Sequence, residues 1–256
     1  MRIVIKVGTS TLAHPTGRLN IRHMEELVKV LSDLKNAGHE LVLVSSGAIG
    51  MGVGKLMLKK RPEDMPSKQA AAAVGQCELM YTYDRLFTDY GHTVAQILLT
   101  GEDLENPERR GNFENTLYRL LELEALPIIN ENDSVATHEI AVGDNDTLSA
   151  IVAECAGADL LVLLSDIEGL FTADPHKDPT AQMIREVREI TPEIEALAAG
   201  KGSALGTGGM ETKLRAAKIV TAEGIDLVIM QGARPEKLYD LIEGKMIGTR
   251  FYGQKA

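Results

Sequence analysis

The 256-residue chain is 44% hydrophobic and has a formal net charge of -10 at pH 7. This length suits one large domain or two small lobes. The charge argues against a broad surface for nucleic acid or anionic membrane. No apolar run approaches the ~20 residues of a membrane span, and the N-terminus lacks a secretory pattern. We therefore expect a cytoplasmic protein that binds neither nucleic acid nor membrane, with Cys77 and Cys155 reduced.

Short, nearly continuous apolar runs alternate with amphipathic patterns along the chain. Such runs predict strands buried on both faces, and apolar residues spaced by three and four predict helices. In chain order the predicted elements are a strand at 3–7, a helix at 20–38, strands at 41–44 and 94–99, a helix at 110–125, a strand at 126–129, a helix at 146–157, a strand at 160–164, a helix at 211–224 and a strand at 225–230. The alternation predicts an α/β fold, a three-layer sandwich with a largely parallel central sheet.

The chain contains no linker long enough to separate independent domains. We expect residues 1–256 to form one domain, with a waist near residue 150. The waist would divide an N-terminal lobe, about 1–150, from a C-terminal lobe, about 151–256.

Polar or glycine-rich segments follow four of the predicted strands. They read "KVGTS" after the first strand, "SSGAIGMG" after the second, "INENDSVA" after the fourth and "LSDIEGL" after the fifth. Ligands of open α/β sheets bind beyond the carboxyl ends of the strands, so these segments predict one shared site. We interpret the glycines of "SSGAIGMG" as a loop whose backbone N–H groups approach an anion, rather than as an ordinary turn.

Two lysines from opposite ends of the chain point to phosphate chemistry. Lys6 ends the first strand, and Lys213 closes the segment "GTGGMETK", which departs from the P-loop pattern because Thr212 precedes the lysine. A cation in the first turn of a helix is unfavourable unless an anion is near. The alternatives are that Lys6 simply extends to water at the end of its strand, and that "GTGGMETK" is a glycine-rich connection with an exposed Lys213. Phosphoryl transfer needs charge compensation, which two lysines held in register by Asp146 would supply.

Two clusters of asparagine and aspartate, at 130–133 and 144–146, are larger than caps and turns require. Carboxylates could bind the ammonium of an amino acid and amide N–H groups its carboxylate. A divalent-metal site is the alternative. The six histidines show no pairing typical of zinc sites, so we predict no protein-built metal site.

The motifs "KVGTS", "SSGAIG", "INENDSVA", "VGDNDTLSA", "LSDIEGLFTADP" and "GTGGMETK" occur in an order that resembles the glutamate 5-kinases of the amino acid kinase family. The resemblance runs from residue 2 to about residue 250. It implies the amino acid kinase fold and transfer of the ATP γ-phosphoryl group to the side-chain carboxylate of L-glutamate, giving glutamyl 5-phosphate, the first step of proline biosynthesis. It also implies Mg²⁺, carried by the ATP phosphates.

The resemblance assigns roles to residues that match the family motifs. Lys6, Lys213 and Asp146 resemble the catalytic residues. Substrate binding is assigned to the N-terminal lobe, at Ser46, Gly47, Asp133 and Asn145. Nucleotide binding is assigned to Lys6, Ser165, Asp166, Thr207, Gly208, Gly209, Met210, Glu211, Thr212 and Lys213, mostly in the C-terminal lobe.

The resemblance is to short forms that lack the C-terminal PUA-type domain, since this sequence stops at Ala256. It implies a homo-oligomer, proline as a feedback inhibitor and hand-off of the labile acyl phosphate to glutamyl phosphate reductase. The alternatives are a family member with a different acid acceptor and a non-catalytic amino-acid sensor.

Overall fold

The computed structural model describes residues 1–14, 16, 18–137, 142, 144–175, 177–198 and 209–254. The strands are β1 Arg2–Val7, β2 Glu40–Ser45, β3 Val94–Leu99, β4 Leu126–Glu131, β5 Leu160–Ser165, β6 Leu170–Phe171, β7 Met183–Ile184, β8 Glu186–Val187, β9 Asp226–Gln231 and β10 Thr249–Phe251. Within the described residues the main sheet has the strand order β3-β4-β2-β1-β5-β9-β10-β8, and β6 pairs with β7 in a small ribbon.

Six long strands, β1 to β5 and β9, run parallel, and β10 is antiparallel to β9. All six predicted strands are confirmed, each with bounds within two residues of the prediction. The short strands near the C-terminus were not predicted, because two or three residues carry no periodicity that a pattern can detect.

Helices cover both faces of the sheet. They are α1 Thr9–Leu12, α2 Ile21–Asn36, α3 Ala48–Lys55, α4 Met65–Thr88, α5 Gly101–Glu105, α6 Pro107–Glu122, α7 Asn145–Ala156, α8 Pro192–Ala198, α9 Met210–Ala222 and α10 Lys237–Ile242.

Two apolar cores lie between the sheet and its helical layers. Ile3, Ile5 and Val7 of β1 pack into the core with α2, α4 and α10, whereas Val4 packs into the core with α6, α7 and α9. This alternation follows from the two-residue period of a strand. The three-layer α/β sandwich with a largely parallel sheet is therefore confirmed.

The predicted glycine loop after β2 is a helix, so that prediction was wrong. Gly47 has a left-handed backbone (φ 108°) and caps α3, which then runs through Gly50, Gly52 and Gly54. A Cβ at Gly52 would lie 1.8 Å from the carbonyl oxygen of Ala71 on α4. Gly52 thus allows α3 and α4 to pack with their backbones almost in contact.

Residue 150 lies inside α7, and the main sheet continues from one half of the chain into the other. The strands β1 to β4 form one half of the sheet and the later strands the other, with β1 and β5 adjacent at the seam. The assignment of the two halves to different ligands stays a prediction. Within the described ranges no helix has the length and apolar character needed to cross a bilayer.

Candidate active site

Lys6 and Lys213 meet at one carboxylate, that of Asp146. Lys6 Nζ lies 2.6 Å from Asp146 Oδ1, and Lys213 Nζ lies 3.0 Å from Asp146 Oδ2. The strand period explains the contact: Lys6 shares the face of Val4, which is the face covered by α7 and α9. Asp146 is in the first turn of α7, Lys213 is near the start of α9, and the two helices pack together.

All three side chains are buried, and their exposed fractions are 8% for Lys6, 1% for Asp146 and 4% for Lys213. Burial alone would raise the pKa of the Asp146 carboxyl. The charges of Lys6 and Lys213, with hydrogen bonds from Lys6 and Thr212, outweigh burial and lower this pKa to about 2. Asp146 is therefore ionised at neutral pH, and two ammonium groups and one carboxylate leave one net positive charge.

The cavity above this cluster, here named the lysine cavity, lies at the carboxyl ends of β1 and β5. Besides the three clustered residues it is lined by Gly8, Thr9, Ser10, Ser46, Arg61, Asp144, Asn145, Leu164, Ser165 and Asp166. Ser165 Oγ donates to Asp166 Oδ1 at 3.1 Å. A concave site with net positive charge on its floor suits a polyphosphate.

An adjoining cavity, here named the acidic cavity, lies at the carboxyl ends of β2 and β4. It is lined by Thr9, Ser46, Gly47, Ala48, Ile49, Gly50, Arg61, Asn130, Glu131, Asp133, Asp144 and Asn145. Its volume of about 170 Å³ is below the roughly 300–1,000 Å³ of pockets for drug-sized ligands. The acidic cavity therefore suits a ligand of the size of an amino acid.

The two cavities share Thr9, Ser46, Arg61, Asp144 and Asn145. A ligand in the acidic cavity can thus reach the lysine cavity without crossing the protein interior. The four segments that sequence analysis assigned to one sheet edge do meet there.

Two carboxylates of the acidic cavity, those of Glu131 and Asp133, have raised pKa values. Burial raises the pKa of Glu131; the backbone N–H of Val142, 2.7 Å away, opposes this, and the neighbouring charges of Asp133 and Asp144 add to it. Burial also raises the pKa of Asp133, which the charge of Arg61 partly offsets. A cavity whose carboxylates resist ionisation favours a ligand that brings a positive charge.

A hydrogen-bonded chain of polar side chains forms the wall between α4 and the cavities. Asn145 Nδ2 donates to Ser46 Oγ at 2.6 Å and to Asn130 Oδ1 at 3.0 Å. Asn130 Nδ2 donates to Gln76 Oε1 at 2.9 Å. Asp144 is the N-cap of α7 and accepts from the backbone N–H of Thr147 at 2.8 Å. The expectation that amide N–H groups bind a ligand carboxylate does not hold for Asn145, because both of its N–H groups are already used within the protein.

The predicted nucleotide segment is described only from Gly209 onward. Gly209 is the N-cap of α9, Met210 packs against the core and Glu211 is exposed. Thr212 Oγ1 lies 2.8 Å from both Asp146 Oδ2 and Gly209 O, and it donates to one of them. Thr207 and Gly208 lie outside the described residues. The nucleotide-binding roles of this segment stay predictions.

Sequence reasoning missed two residues of this region, Arg61 and Gln76. Arg61 lines both cavities, although it belongs to a polar stretch that reads as a surface loop. Gln76 is 9% exposed on the alanine-rich part of α4, where no motif marks it. Neither residue has a local signal, because its position depends on how α3 and α4 pack. Among the described residues, no three His, Cys, Asp or Glu side chains are grouped so that they could hold a metal ion.

Comparisons with known proteins agree with this architecture. The model of the amino acid kinase family matches residues 1–231. The solved carbamate kinase from Giardia lamblia bound to AMP-PNP superposes with a TM-score of 0.71 and 18% identity, covering 99% of this chain and 98% of that one. The isopentenyl phosphate kinase of T. acidophilum, in a product complex, gives a TM-score of 0.65 and 17% identity, covering 98% and 100%. At these identities the solved structures show a shared fold.

Curated relatives are much more similar in sequence. The glutamate 5-kinase of Clostridium perfringens is 52% identical over 258 residues, covering 99% of this chain and 96% of the relative. The glutamate 5-kinase of Moorella thermoacetica is 54% identical over 250 residues, covering 98% of this chain but 66% of the relative. The relatives thus include chains of similar length and longer ones. Because the family model spans most of the sequence and relatives of this similarity match nearly all of it, the chain belongs to the amino acid kinase family, in the branch of the glutamate 5-kinases.

Proposed function

We propose that the protein transfers the γ-phosphoryl group of ATP to the side-chain carboxylate of L-glutamate. The observation that carries the proposal is the junction of the two cavities. A buried Lys6–Asp146–Lys213 cluster lies beside an acidic cavity of amino-acid size. The glutamate 5-kinase names of relatives more than 50% identical support glutamate as the substrate, and the family resemblance implies that this reaction is the first step of proline biosynthesis.

The chemistry needs no general base from the protein. The side-chain carboxylate of glutamate has a reference pKa of about 4.3, so it is a nucleophile at neutral pH. The obstacle is repulsion between this anion and the phosphates. Lys6 and Lys213 offset that repulsion, and Asp146 holds both ammonium groups in place before substrate arrives.

In this proposal the acidic cavity holds the amino-acid end of glutamate. Glu131, Asp133 and the side-chain oxygen of Asn145 receive the ammonium. Ser46 and Arg61, which border both cavities, receive the α-carboxylate. The side chain of glutamate then extends toward Lys6, where the phosphoryl group is transferred.

Mg²⁺ fits the lysine cavity as a partner of the ATP phosphates rather than of a protein cage. Asp166 is a carboxylate lining that cavity, and no three metal-binding side chains are grouped in the described ranges. When bound, the cation supplies charge neutralisation on the phosphates. Ser165, Gly209, Met210, Glu211 and Thr212 are proposed to border the nucleotide, with Thr207 and Gly208 assigned by the family motif alone.

The remaining partners follow from ligand chemistry. Proline carries the ammonium and α-carboxylate of glutamate, so the acidic cavity is its proposed inhibitory site. The acyl phosphate product is labile, which favours direct consumption by glutamyl phosphate reductase.

We also propose a homo-oligomer in the cytoplasm, where the two free thiols of Cys77 and Cys155 are stable.

A hydroxylamine-trapping assay with Mg-ATP and a panel of amino acids tests the function. Acyl phosphates react to give hydroxamates, whereas phosphate esters do not. We expect γ-glutamyl hydroxamate from L-glutamate, and little product from aspartate or from glutarate, which lacks the ammonium. Hydroxamate from another acid but none from glutamate would refute the proposed substrate.

A further inference from the structure

Gln76 contacts the candidate active site only through other side chains. It lies on the buried face of α4 and is absent from the described lining of either cavity. Gln76 Oε1 accepts a hydrogen bond from Asn130 Nδ2. Asn130 Oδ1 in turn accepts from Asn145 Nδ2, which also donates to Ser46 Oγ. Gln76 is therefore the interior end of a chain of hydrogen bonds that terminates at the cavities.

The direction of these hydrogen bonds decides what the cavity wall offers to a ligand. A side-chain amide has one oxygen that accepts and one nitrogen that donates. Both hydrogens of Asn145 Nδ2 are used, by Asn130 and Ser46, and no described residue donates to the oxygen of Asn145, which can therefore accept from a ligand. The oxygen of Ser46 already accepts from Asn145, so its hydroxyl hydrogen is left to donate.

We propose that Gln76 is a positioning residue that sets this direction and thereby selects an α-amino acid. While Gln76 presents its oxygen, Asn130 turns its nitrogen inward, and Asn145 offers an acceptor to the substrate ammonium. Ser46 then offers a donor to a substrate carboxylate. The inference rests on the proposed function and adds the origin of its specificity.

The opposite direction would make a site of the wrong polarity. If position 76 offered a donor, Asn130 would turn its oxygen inward and its nitrogen toward Asn145. The oxygen of Asn145 would then be occupied, and its N–H group would face the ammonium, which also only donates. The polarity of the wall therefore depends on whether Gln76 presents its oxygen or its nitrogen to Asn130.

The packing of α4 holds Gln76 in place. The preceding residue, Gly75, lies so close to α3 that a Cβ would be 1.7 Å from the carbonyl oxygen of Ala48. Gly47, which begins α3, lines the acidic cavity. The helix that carries Gln76 therefore has little freedom to shift relative to the cavity wall.

The test compares Gln76→Met, which keeps the length but offers no donor and only a weak acceptor, with Gln76→Glu, which keeps an oxygen that can accept from Asn130. Thr82→Val is the matched control, since Thr82 is a buried polar residue of α4 whose hydroxyl donates to Glu78 O, outside the chain of side chains. For each protein we would measure kcat, KM for glutamate and ATP, competitive inhibition by glutarate, and thermal unfolding. Glutarate has both carboxylates but no ammonium, so it reports on selection for that group.

We expect Gln76→Met to raise KM for glutamate about 10-fold, as when a buried polar group loses its partner, with kcat and KM for ATP within about 2-fold. In the Gln76→Met variant, the ratio of the glutarate inhibition constant to the KM for glutamate, which expresses the preference for glutamate over glutarate, should decrease by a similar factor. Gln76→Glu, once folded, should keep the preference within about 3-fold of the wild type. Thr82→Val should leave the preference unchanged.

Two results would overturn the inference. One is an unchanged preference in Gln76→Met, and the other is an equal loss of preference in Thr82→Val, which would make the effect one of general stability. If Gln76→Met does not fold, a loss of preference in folded Gln76→Glu would overturn the inference instead. Failure of the proposed function would give a different result, because the wild type itself would then form no glutamyl hydroxamate. The inference about Gln76 would fail as well in that case.

Discussion

Asp146 is the residue on which the candidate active site depends. Its carboxylate holds two buried ammonium groups at 2.6 and 3.0 Å, and these come from positions 207 residues apart in the sequence. One carboxylate between two lysines fixes both cations and leaves one net positive charge. The cluster therefore retains attraction for phosphate while it remains paired in the absence of ligand.

Replacing Lys213 should affect the reaction much more than substrate binding. We expect Lys213→Met to lower kcat by about 10²–10³-fold, the usual effect of removing one preorganised group that stabilises the transition state. KM for glutamate should change much less, because Lys213 borders only the lysine cavity. Steady-state hydroxamate assays at saturating ATP measure both constants.

Lys218→Met is the matched control for that substitution. Lys218 lies on the same helix, is half exposed and pairs with Glu195 at 2.7 Å, away from the cavities. Its kcat should stay within about 2-fold of the wild type, as for most surface changes. Equal turnover in the Lys213 and Lys218 variants would contradict the role given to Lys213.

Asp133 should show a conflict between stability and function. Burial raises the pKa of its carboxyl, so the folded chain disfavours the charged form that exists at neutral pH. Asp133→Asn should therefore raise Tm by about 1–3 °C while raising KM for glutamate, because a negative charge facing the ammonium is lost. Thermal unfolding and kinetics at pH 7.5 measure the two effects. A lower Tm together with an unchanged KM for glutamate would refute both the predicted gain in stability and the predicted loss of glutamate binding.

Among the helices, α3 and α4 show where sequence patterns failed, since α3 was predicted to be a loop and α4 was missed. The stretch "SSGAIGMG" contains the glycines expected of a phosphate-binding loop. Its Gly52 instead lies against α4, and Gly75 of α4 lies against α3, so both glycines bring the two helices together. The helix α4 was not predicted, since its alanine-rich sequence has no clear apolar stripe. A glycine that permits close packing is indistinguishable in sequence from one that permits a turn, because the partner backbone is distant along the chain.

The crossing of α3 and α4 can be tested with one added methyl group. We expect Gly75→Ala to destabilise the protein by about 2–3 kcal/mol, since its Cβ would meet the backbone of Ala48 and Gly52 and neither helix can yield. KM for glutamate should also rise, because α3 begins at the wall of the acidic cavity. Urea unfolding and kinetics measure these effects.

Gly111→Ala provides the opposite expectation for the same chemical change. Gly111 lies inside α6, and a Cβ there would have no neighbour within 4 Å. The added methyl group should stabilise by about 0.4–1 kcal/mol, by restricting the unfolded chain. If both variants lost the same stability, close packing would not be the reason for Gly75.

At the scale of the molecule, the sheet order explains why distant motifs meet. The two halves of the chain form two halves of one sheet, and the seam between β1 and β5 lies beneath the lysine cavity. The strands and their polar ends could be predicted, because burial on both faces produces continuous apolar runs. The positions of Arg61 and Gln76 at the candidate site could not be predicted, because they depend on how α3 and α4 pack together. The division into ligand-specific lobes stays a prediction.

The Lys6–Asp146–Lys213 cluster should also determine part of the pH dependence of stability. The folded-state pKa of Asp146, about 2, lies below the unfolded value near 3.8. As pH falls, the unfolded chain binds the proton first, so this stabilisation is complete above the unfolded pKa and is lost as pH falls through the folded one. This lowering of the Asp146 pKa corresponds to about 2 kcal/mol of stabilisation at neutral pH.

Asp146→Asn should reveal this contribution. At pH 7 we expect it to cost about 3–5 kcal/mol, because Lys6 and Lys213 remain buried without their counter-charge. The difference from the wild type should then shrink as pH falls from roughly 4.5 toward roughly 2.5. Urea unfolding across this range measures the effect, and Asp84→Asn, an exposed change on α4, should stay within about 0.5 kcal/mol of the wild type. A difference that did not vary with pH would mean that Asp146 is not the ionised partner of the two lysines.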